Sequence, residues 1–168
     1  YSGQSDSLID NLRQSLTTLW LNDGDGGYSQ GFGGIEGVNN GDLELADLDG
    51  DGDLDLVLTG INSTNDPSTL IYENQHPGDF VDTGAEIEAL HASAIALGDV
   101  DRDGDLDLAI AGLTSSGSTY AALFANDNGI MSEREDVTLP GILAGDLAWA
   151  DYDNDQDLDL IISGNNLT

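Results

Sequence analysis

The sequence predicts an all-β protein made of three repeated units of four strands each. Three observations support this fold class: a repeat with a fixed period of 52 residues, hydrophobic residues that alternate with polar ones, and turn-forming clusters between them. The predicted boundaries are a lead-in segment at 1–16 and repeats at 17–64, 65–116 and 117–168. We expect the three repeats to form one continuous unit.

The repeat is clearest in three acidic segments that lie 52 residues apart. They read DLDGDGDLDLVLTG from Asp47, DVDRDGDLDLAIAG from Asp99 and DYDNDQDLDLIISG from Asp151. The same register aligns aromatic and amide positions outside these segments: Trp20, Tyr72 and Phe124, then Asn22, Asn74 and Asn126. Chance does not preserve such different positions at one spacing, so one structural unit is repeated.

Within each repeat the hydrophobic pattern has the two-residue period of a strand. In the first repeat the apolar positions of the first two strands are Leu43, Leu45, Leu54, Leu56 and Leu58. Val57, Ala109 and Ile161 fill the other face of the second strand, so we expect it to be covered on both sides. A third strand is predicted at 17–21, 70–73 and 121–125, and a short fourth around Tyr28 and Phe80. Four short strands per repeat are typical of a β-propeller blade.

Residues 5–16 are the one candidate for a helix. Leu8, Ile9, Leu12 and Leu16 have helical spacing. An irregular lead-in fits the same residues equally well, so both alternatives stay open.

Aspartates occupy positions 1, 3, 5, 7 and 9 of a nine-residue loop in every repeat. The candidate ligands are Asp47, Asp49, Asp51, Asp53 and Asp55, then Asp99, Asp101, Asp103, Asp105 and Asp107, then Asp151, Asp153, Asp155, Asp157 and Asp159. On a tightly turning backbone, side chains at positions 1, 3 and 5 point inward at one ion, as in the first half of an EF-hand loop. Oxygen ligands favour Ca²⁺, whereas zinc prefers nitrogen or sulfur and magnesium requires stricter octahedral geometry. We expect one calcium ion per repeat and three in the chain.

The end of the loop differs from an EF-hand. Position 12 is an apolar strand residue, Leu58, Ile110 or Ile162, where an EF-hand has a ligating glutamate. We therefore expect position 9 to complete the ligand shell, and position 7 to contribute its backbone carbonyl with its side chain turned outward.

Position 6 of the loop requires a left-handed backbone, which glycine adopts without steric cost. Gly52 and Gly104 provide it, but Gln156 stands in the third loop, with Asn154 nearby. We expect the third loop to be distorted or to bind calcium most weakly.

Composition excludes several classes of function. The chain has 33 acidic residues, 3 basic ones and a formal charge of -30, so nucleic acid and anionic lipid are unfavourable partners. It has no cysteine, and no run of 18 apolar residues that would insert into a membrane. Because the chain starts at Tyr1 without a basic or apolar leader, we expect a mature or excised segment.

Nothing in the sequence predicts an enzyme. GxSxG, GxxxxGK and HExxH motifs are absent, and the GFGG at 31–34 has Glu36 where a dinucleotide fingerprint needs its third glycine. His76 and His91 do not recur in the repeat and lie in or beside presumed loops. Each acidic loop is self-contained and has no histidine in register, so we expect structural calcium, no catalytic residues and no other cofactor.

The motif DxDxDGxxD followed by an LDL strand, together with the NDG turns, resembles the FG-GAP/VCBS repeats of integrin α-chain-like β-propellers. The resemblance covers residues 17–168. It implies that each loop joins the first two strands of a blade and binds calcium through the aspartates named above. Two features depart from the pattern: Gln156 replaces the glycine, and the Phe-Gly of the name is present only as Phe32 and Gly33, without Gly-Ala-Pro.

Three repeats are too few for a ring, because propellers usually have at least four blades. On the predicted strands, the chain begins with the outer two strands of one blade and ends with the inner two of another. We expect these halves to be completed between chains, in a six-bladed dimer or a head-to-tail filament, which leaves no open sheet edge. The alternative is that the chain is part of a longer propeller.

The function that fits best is adhesion or self-assembly, with a second copy, a surface protein or a glycan as the partner. The alternatives are a lectin-like glycan-binding module, or the non-catalytic propeller of a larger secreted polysaccharide-processing enzyme. Glycosylation sequons at Asn62 and Asn166 and the millimolar calcium outside cells favour an extracellular or cell-surface location.

Overall fold

The computed structural model describes residues 14–31, 33–75 and 79–167, and regular structure in these residues consists of β-strands alone. The predicted all-β class is confirmed. Most of the helix candidate lies outside the described residues, and its described part, 14–16, has no regular structure.

Twelve strands follow one another along the described chain. They are β1 (Trp20–Asn22), β2 (Tyr28–Gln30), β3 (Leu43–Ala46), β4 (Asp55–Ile61), β5 (Pro67–Asn74), β6 (Phe80–Asp82), β7 (Leu90–Gly98), β8 (Asp107–Thr114), β9 (Thr119–Asp127), β10 (Ile130–Glu133), β11 (Leu143–Ala150) and β12 (Asp159–Asn165). The strand predicted at 17–21 is observed as the shorter β1, while its counterparts β5 and β9 extend beyond their predicted bounds.

The strands form blade-like antiparallel sheets in which each strand pairs with the next along the chain. Two sheets have four strands, in the orders β3-β4-β5-β6 and β7-β8-β9-β10. Two further sheets have two strands, β1-β2 and β11-β12. Each complete blade takes its first two strands from one repeat and its last two from the next. The predicted four-stranded blade is therefore confirmed, in two complete copies and two halves.

Consecutive blades pack face to face through their inner strands. Val57 of β4 lies in one buried cluster with Ile95 of β7 and Leu108 of β8. One blade further, Ala109 of β8 lies in a second buried cluster with Leu147 of β11. Fully burying a side chain the size of valine or leucine stabilises a fold by about 1.5 to 3 kcal/mol. This repeated contact therefore fixes the order of the blades.

The second strand of the blade is covered on both faces only in the complete blades. Strands β4 and β8 are buried almost throughout, as the apolar run predicts. In β12 no residue is fully buried, and Ile161 is exposed. The prediction that Ile161 would be covered like Val57 and Ala109 is wrong within this single chain, because β12 has no third strand beside it and no following blade.

Candidate metal centres

Each acidic loop connects the first strand of a blade to its second strand: β3 to β4, β7 to β8 and β11 to β12. Positions 1 to 8 form the turn, and position 9 is the first residue of the second strand. The strands therefore fix both ends of the loop, which brings its first and last carboxylates together.

Carboxylate oxygens from positions 1, 3 and 9 converge in every loop. In each group one oxygen per residue lies within 4.8 Å of the other two; the groups are Asp47, Asp49 and Asp55, then Asp99, Asp101 and Asp107, then Asp151, Asp153 and Asp159. Two oxygens on opposite sides of a Ca²⁺ ion are about 4.6 to 5.2 Å apart, because each Ca–O distance is about 2.3 to 2.6 Å. The spacing and the all-oxygen donor set both fit a hard cation of this size.

Position 9 also holds the blade together. Both oxygens of the buried Asp107 accept backbone N–H groups, from Val100 at 2.9 Å and from Asn126 at 2.9 Å. In the preceding blade the carboxylate oxygens of Asp55 accept the equivalent backbone N–H groups, from Leu48 and from Asn74, each at 2.9 Å. This carboxylate therefore joins the loop, the second strand and the third strand of its blade.

The amide position that recurs every 52 residues takes part in this arrangement, although the sequence assigned it no role. The Asn126 side chain donates to the carbonyl oxygens of Leu106 at 3.1 Å and Leu48 at 2.8 Å, and that of Asn74 donates to Leu54 at 3.1 Å. The Leu48 contact crosses from one blade to the previous one. The signal in the sequence that could have identified this position is the asparagine that recurs every 52 residues.

Position 1 closes the turn in all three loops. Its Oδ2 atom accepts the N–H of position 6, from Gly52 to Asp47 at 3.1 Å and from Gly104 to Asp99 at 3.2 Å. Gln156 donates to Asp151 in the same way at 3.1 Å.

Gln156 adopts the left-handed backbone that the loop requires. Its φ of +79° lies near those of Gly52 at +95° and Gly104 at +105°. The expected distortion of the third loop is therefore absent, and the weaker binding stays a prediction. Position 4 is left-handed as well, in Gly50, Arg102 and Asn154, which the sequence pattern did not reveal.

One carboxylate oxygen in the second loop has the environment of a metal ligand. Asp99 Oδ1 is buried and has no hydrogen-bond donor in the described part of the chain. A buried anionic oxygen without a partner is costly unless a cation satisfies it. Next to it, desolvation and then the negative charges of Asp103 and Asp107 raise the pKa of Asp101. A bound cation would satisfy the oxygen and offset this repulsion.

Positions 5 and 7 lie outside the converging groups, so their part in ligation stays a prediction. The side chains at position 7 contact neighbouring groups: Asp105 accepts the backbone N–H of Asn128 at 2.9 Å, and Asp157 forms an ion pair with Arg102 of the preceding loop. These contacts agree with a side chain that is turned away from the loop centre.

The acidic turn NDGDGG does not form another such group. Asp23 Oδ1 accepts the N–H groups of Asp25 and Gly27, each at 2.9 Å, and these bonds lower the pKa of Asp23. The backbone of the turn therefore already satisfies Asp23 Oδ1.

His91 lies beside a loop, as predicted: it is the second residue of β7, which follows the irregular segment 83–89. The pairing of β7 with β8 shifts register between His91 and Ala94, and the Nδ1 atom of His91 is buried without a hydrogen-bond partner among the described residues. His76 lies outside the described residues.

Comparison with known families agrees with this geometry. A model of the FG-GAP-like repeat matches the chain twice, at residues 47–110 and 99–162, which together span more than half of its length. The chain belongs to the FG-GAP-like repeat family. In this FG-GAP-like chain each match begins at position 1 of one acidic loop and ends in the second strand of the next blade. No curated protein matches the chain at a significant level.

Proposed function

We propose that this FG-GAP-like chain is an extracellular β-propeller module for adhesion or self-assembly, in which calcium is structural. The observation that carries the proposal is the convergence of three carboxylates at the same place in each of the three acidic loops, within 4.8 Å of one another. A site that recurs once per blade fits an ion that stiffens the fold better than one that acts on a substrate.

The candidate ligands support a structural role for the ion. Asp55 and Asp107 already bind two backbone N–H groups each, so they are tied to the strands and are not available as mobile bases. In the described residues each converging group consists of aspartates alone. A cation held there would neutralise the negative charge that three converging carboxylates bring together.

Charge and environment support an extracellular location. A formal charge of -30 disfavours the compact state through self-repulsion, which divalent cations at millimolar concentration reduce. Modest-affinity calcium sites fill at the concentrations found outside cells.

Among the described residues, no helix is long and apolar enough to cross a bilayer.

Glycan binding is the second candidate, because exposed aromatic rings are available. Tyr152 in the third loop, Trp20 in β1 and Tyr28 in β2 are all exposed. Aromatic faces stack on sugar rings. Binding of a polysaccharide that is lost in Tyr152→Ala but retained in Val81→Ala would therefore favour this alternative. The same result is expected of a non-catalytic propeller in a larger secreted enzyme.

Isothermal titration of the chelator-treated chain with CaCl₂ tests the calcium sites, with MgCl₂ as the comparison ion. We expect three Ca²⁺ per chain, and one fewer in Asp99→Asn. Asp136→Asn is the matched control, because Asp136 is exposed and pairs with Arg134 outside the loops. Absence of calcium uptake at millimolar concentration, or equal stoichiometry in the two variants, would contradict the proposal.

A further inference from the structure

One buried amide contacts two of the candidate metal centres. Asn126, in the third strand of the second complete blade, is 2% exposed. Its Nδ2 atom donates to the carbonyl oxygen of Leu106, at position 8 of the second acidic loop, and to that of Leu48, at position 2 of the first. Its Oδ1 atom accepts the N–H of Gly129 at 2.8 Å. Both hydrogens and the oxygen of the carboxamide are therefore bonded, and these three contacts fix the orientation of the side chain.

A continuous chain of hydrogen bonds joins position 9 of the second loop to position 9 of the first. Asp107 Oδ1 accepts the backbone N–H of Asn126 at 2.9 Å. The Asn126 side chain donates to the Leu48 carbonyl oxygen at 2.8 Å, and the Leu48 N–H donates to Asp55 Oδ2 at 2.9 Å. All four residues of this chain are buried. Hydrogen bonds between buried groups are costly to leave unmade, so a displacement of either carboxylate is resisted along the whole chain.

The turn after β9 adds a second connection between the two loops. The Asn128 N–H donates to Asp105 Oδ2, at position 7 of the second loop, at 2.9 Å. The next residue, Gly129, lies so close to the first loop that an added Cβ would be 3.2 Å from the Cβ of Asp49, at position 3. Asn128 and Gly129 also border the cleft that is lined by Asp49 and Asp55. The turn is thus bonded to one loop and packs against a candidate ligand of the other.

Both connections reach candidate metal ligands. Asp107 belongs to the converging group of the second loop, and Asp49 and Asp55 belong to that of the first. Calcium requires such oxygens at about 2.3 to 2.6 Å from its centre. Once the second loop has this geometry, Asp107 and the Asn126 amide are fixed. Less conformational freedom then remains to be lost when the first loop closes around its own ion.

We propose that Asn126 is a positioning residue that couples the first two metal centres, so that filling of either loop raises the calcium affinity of the other. This inference rests on the calcium sites proposed above and concerns their regulation. Electrostatic interaction through space predicts the opposite sign, because two bound cations repel each other. A gain in affinity therefore identifies the bonded connection.

A titration with CaCl₂ that resolves the individual loops tests the coupling. The backbone amide signals of Gly52 and Gly104 in heteronuclear NMR spectra report on the first and second loops, since each N–H donates to the position 1 carboxylate of its own loop. Asp101→Asn removes an exposed ligand from the second group. We expect it to raise the dissociation constant of the first centre by at least about fivefold. By reciprocity we expect the same factor at the second centre in Asp49→Asn.

Asp153→Asn is the matched control for the second loop. It makes the same substitution at position 3 of the third loop, which lies in the sheet that follows the second complete blade. We expect it to leave the affinity of the first centre unchanged. An unchanged affinity of the first centre in Asp101→Asn, or an equal loss in Asp101→Asn and Asp153→Asn, overturns the coupling.

Removal of the amide tests its role directly. In Asn126→Ala the two centres should titrate independently, so that adding Asp101→Asn no longer changes the affinity of the first. Asn74→Ala is the matched control, because Asn74 occupies the same position in the preceding blade and its side chain donates to Leu54 of its own loop. Both alanine variants should lose stability, but only Asn126→Ala should lose the coupling, and coupling that persists there overturns the role of Asn126. If Asn126→Ala does not fold, the comparison of Asp101→Asn with Asp153→Asn still decides whether the centres are coupled, because neither variant changes the amide.

The outcome also separates this inference from the calcium proposal. Shifts of both amide signals with independent dissociation constants overturn the coupling and leave the calcium sites intact. If neither signal shifts at millimolar CaCl₂, both proposals fail. A first centre that binds calcium more tightly once the second is filled supports both.

Discussion

Replacing Asp107 with asparagine tests whether position 9 stabilises the blade independently of any ion. Both of its carboxylate oxygens accept backbone N–H groups at 2.9 Å, from the buried Asn126 and from the half-buried Val100. An asparagine side chain has one acceptor oxygen, so one N–H would face an NH₂ group. A buried donor left without an acceptor costs about 1 to 3 kcal/mol.

An opposing effect must be subtracted. Neutralising Asp107 removes its repulsion of the Asp101 carboxylate, which contributes to the raised pKa of Asp101. This relief offsets part of the loss, so we expect Asp107→Asn to destabilise the fold by about 1 to 2 kcal/mol, the lower part of that range, and each kcal/mol lowers the Tm of a domain of this size by about 2 to 4 °C.

Asp159→Asn is the matched comparison, because Asp159 occupies the same loop position but is exposed and, among the described residues, accepts only the N–H of Tyr152 at 3.0 Å. We expect its effect to stay within about 0.5 kcal/mol, as for most surface changes. Both variants are unfolded with urea in EDTA, so that no divalent ion contributes. Equal free energies of unfolding for the two variants would refute this reasoning.

Three further predictions concern single residues. Gln156→Gly should increase the calcium affinity of the third site by up to about fivefold, because it removes about 1 kcal/mol of strain from the left-handed backbone. An unchanged calcium affinity in a titration would contradict this. Desolvation and then the charge of Glu133 raise the pKa of Tyr120 from 10.0 to about 12. The folded state thus keeps its proton longer than the unfolded state, so stability is lost as pH rises from about 10 to about 12; this loss should be smaller in Tyr120→Phe when unfolding is followed by circular dichroism. Gly41→Ala should lower the Tm by several degrees, because the added Cβ would lie 1.9 Å from the Thr59 carbonyl oxygen. Gly33→Ala should leave the Tm unchanged, because a Cβ added there would have no atom within 4 Å.

The repeat made much of the fold predictable. The 52-residue register located every acidic loop and identified the second strand of each blade, since the side-chain period of a strand is visible in a single sequence. It did not reveal that positions 1, 3 and 9 converge while position 5 stays outside the group. That selection depends on the left-handed residues at positions 4 and 6, which turn the backbone before the strand begins.

The error in predicted burial falls where local pattern and tertiary surroundings differ. Ile161 has the same sequence context as Val57 but lacks a neighbouring blade in this chain, so the apolar pattern predicted the wrong burial. The sequence also did not indicate the shift in strand pairing beside His91, because no spacing of residues reveals such a shift.

The sequence by itself determined the all-β class, the repeat and the acidic loops, because these features depend on the order of residues along the chain. Only the tertiary structure decided which carboxylates converge and which of their oxygens lack a donor. These depend on distances between residues far apart in sequence, such as Asp107 and Asn126, which pairing of the strands brings together.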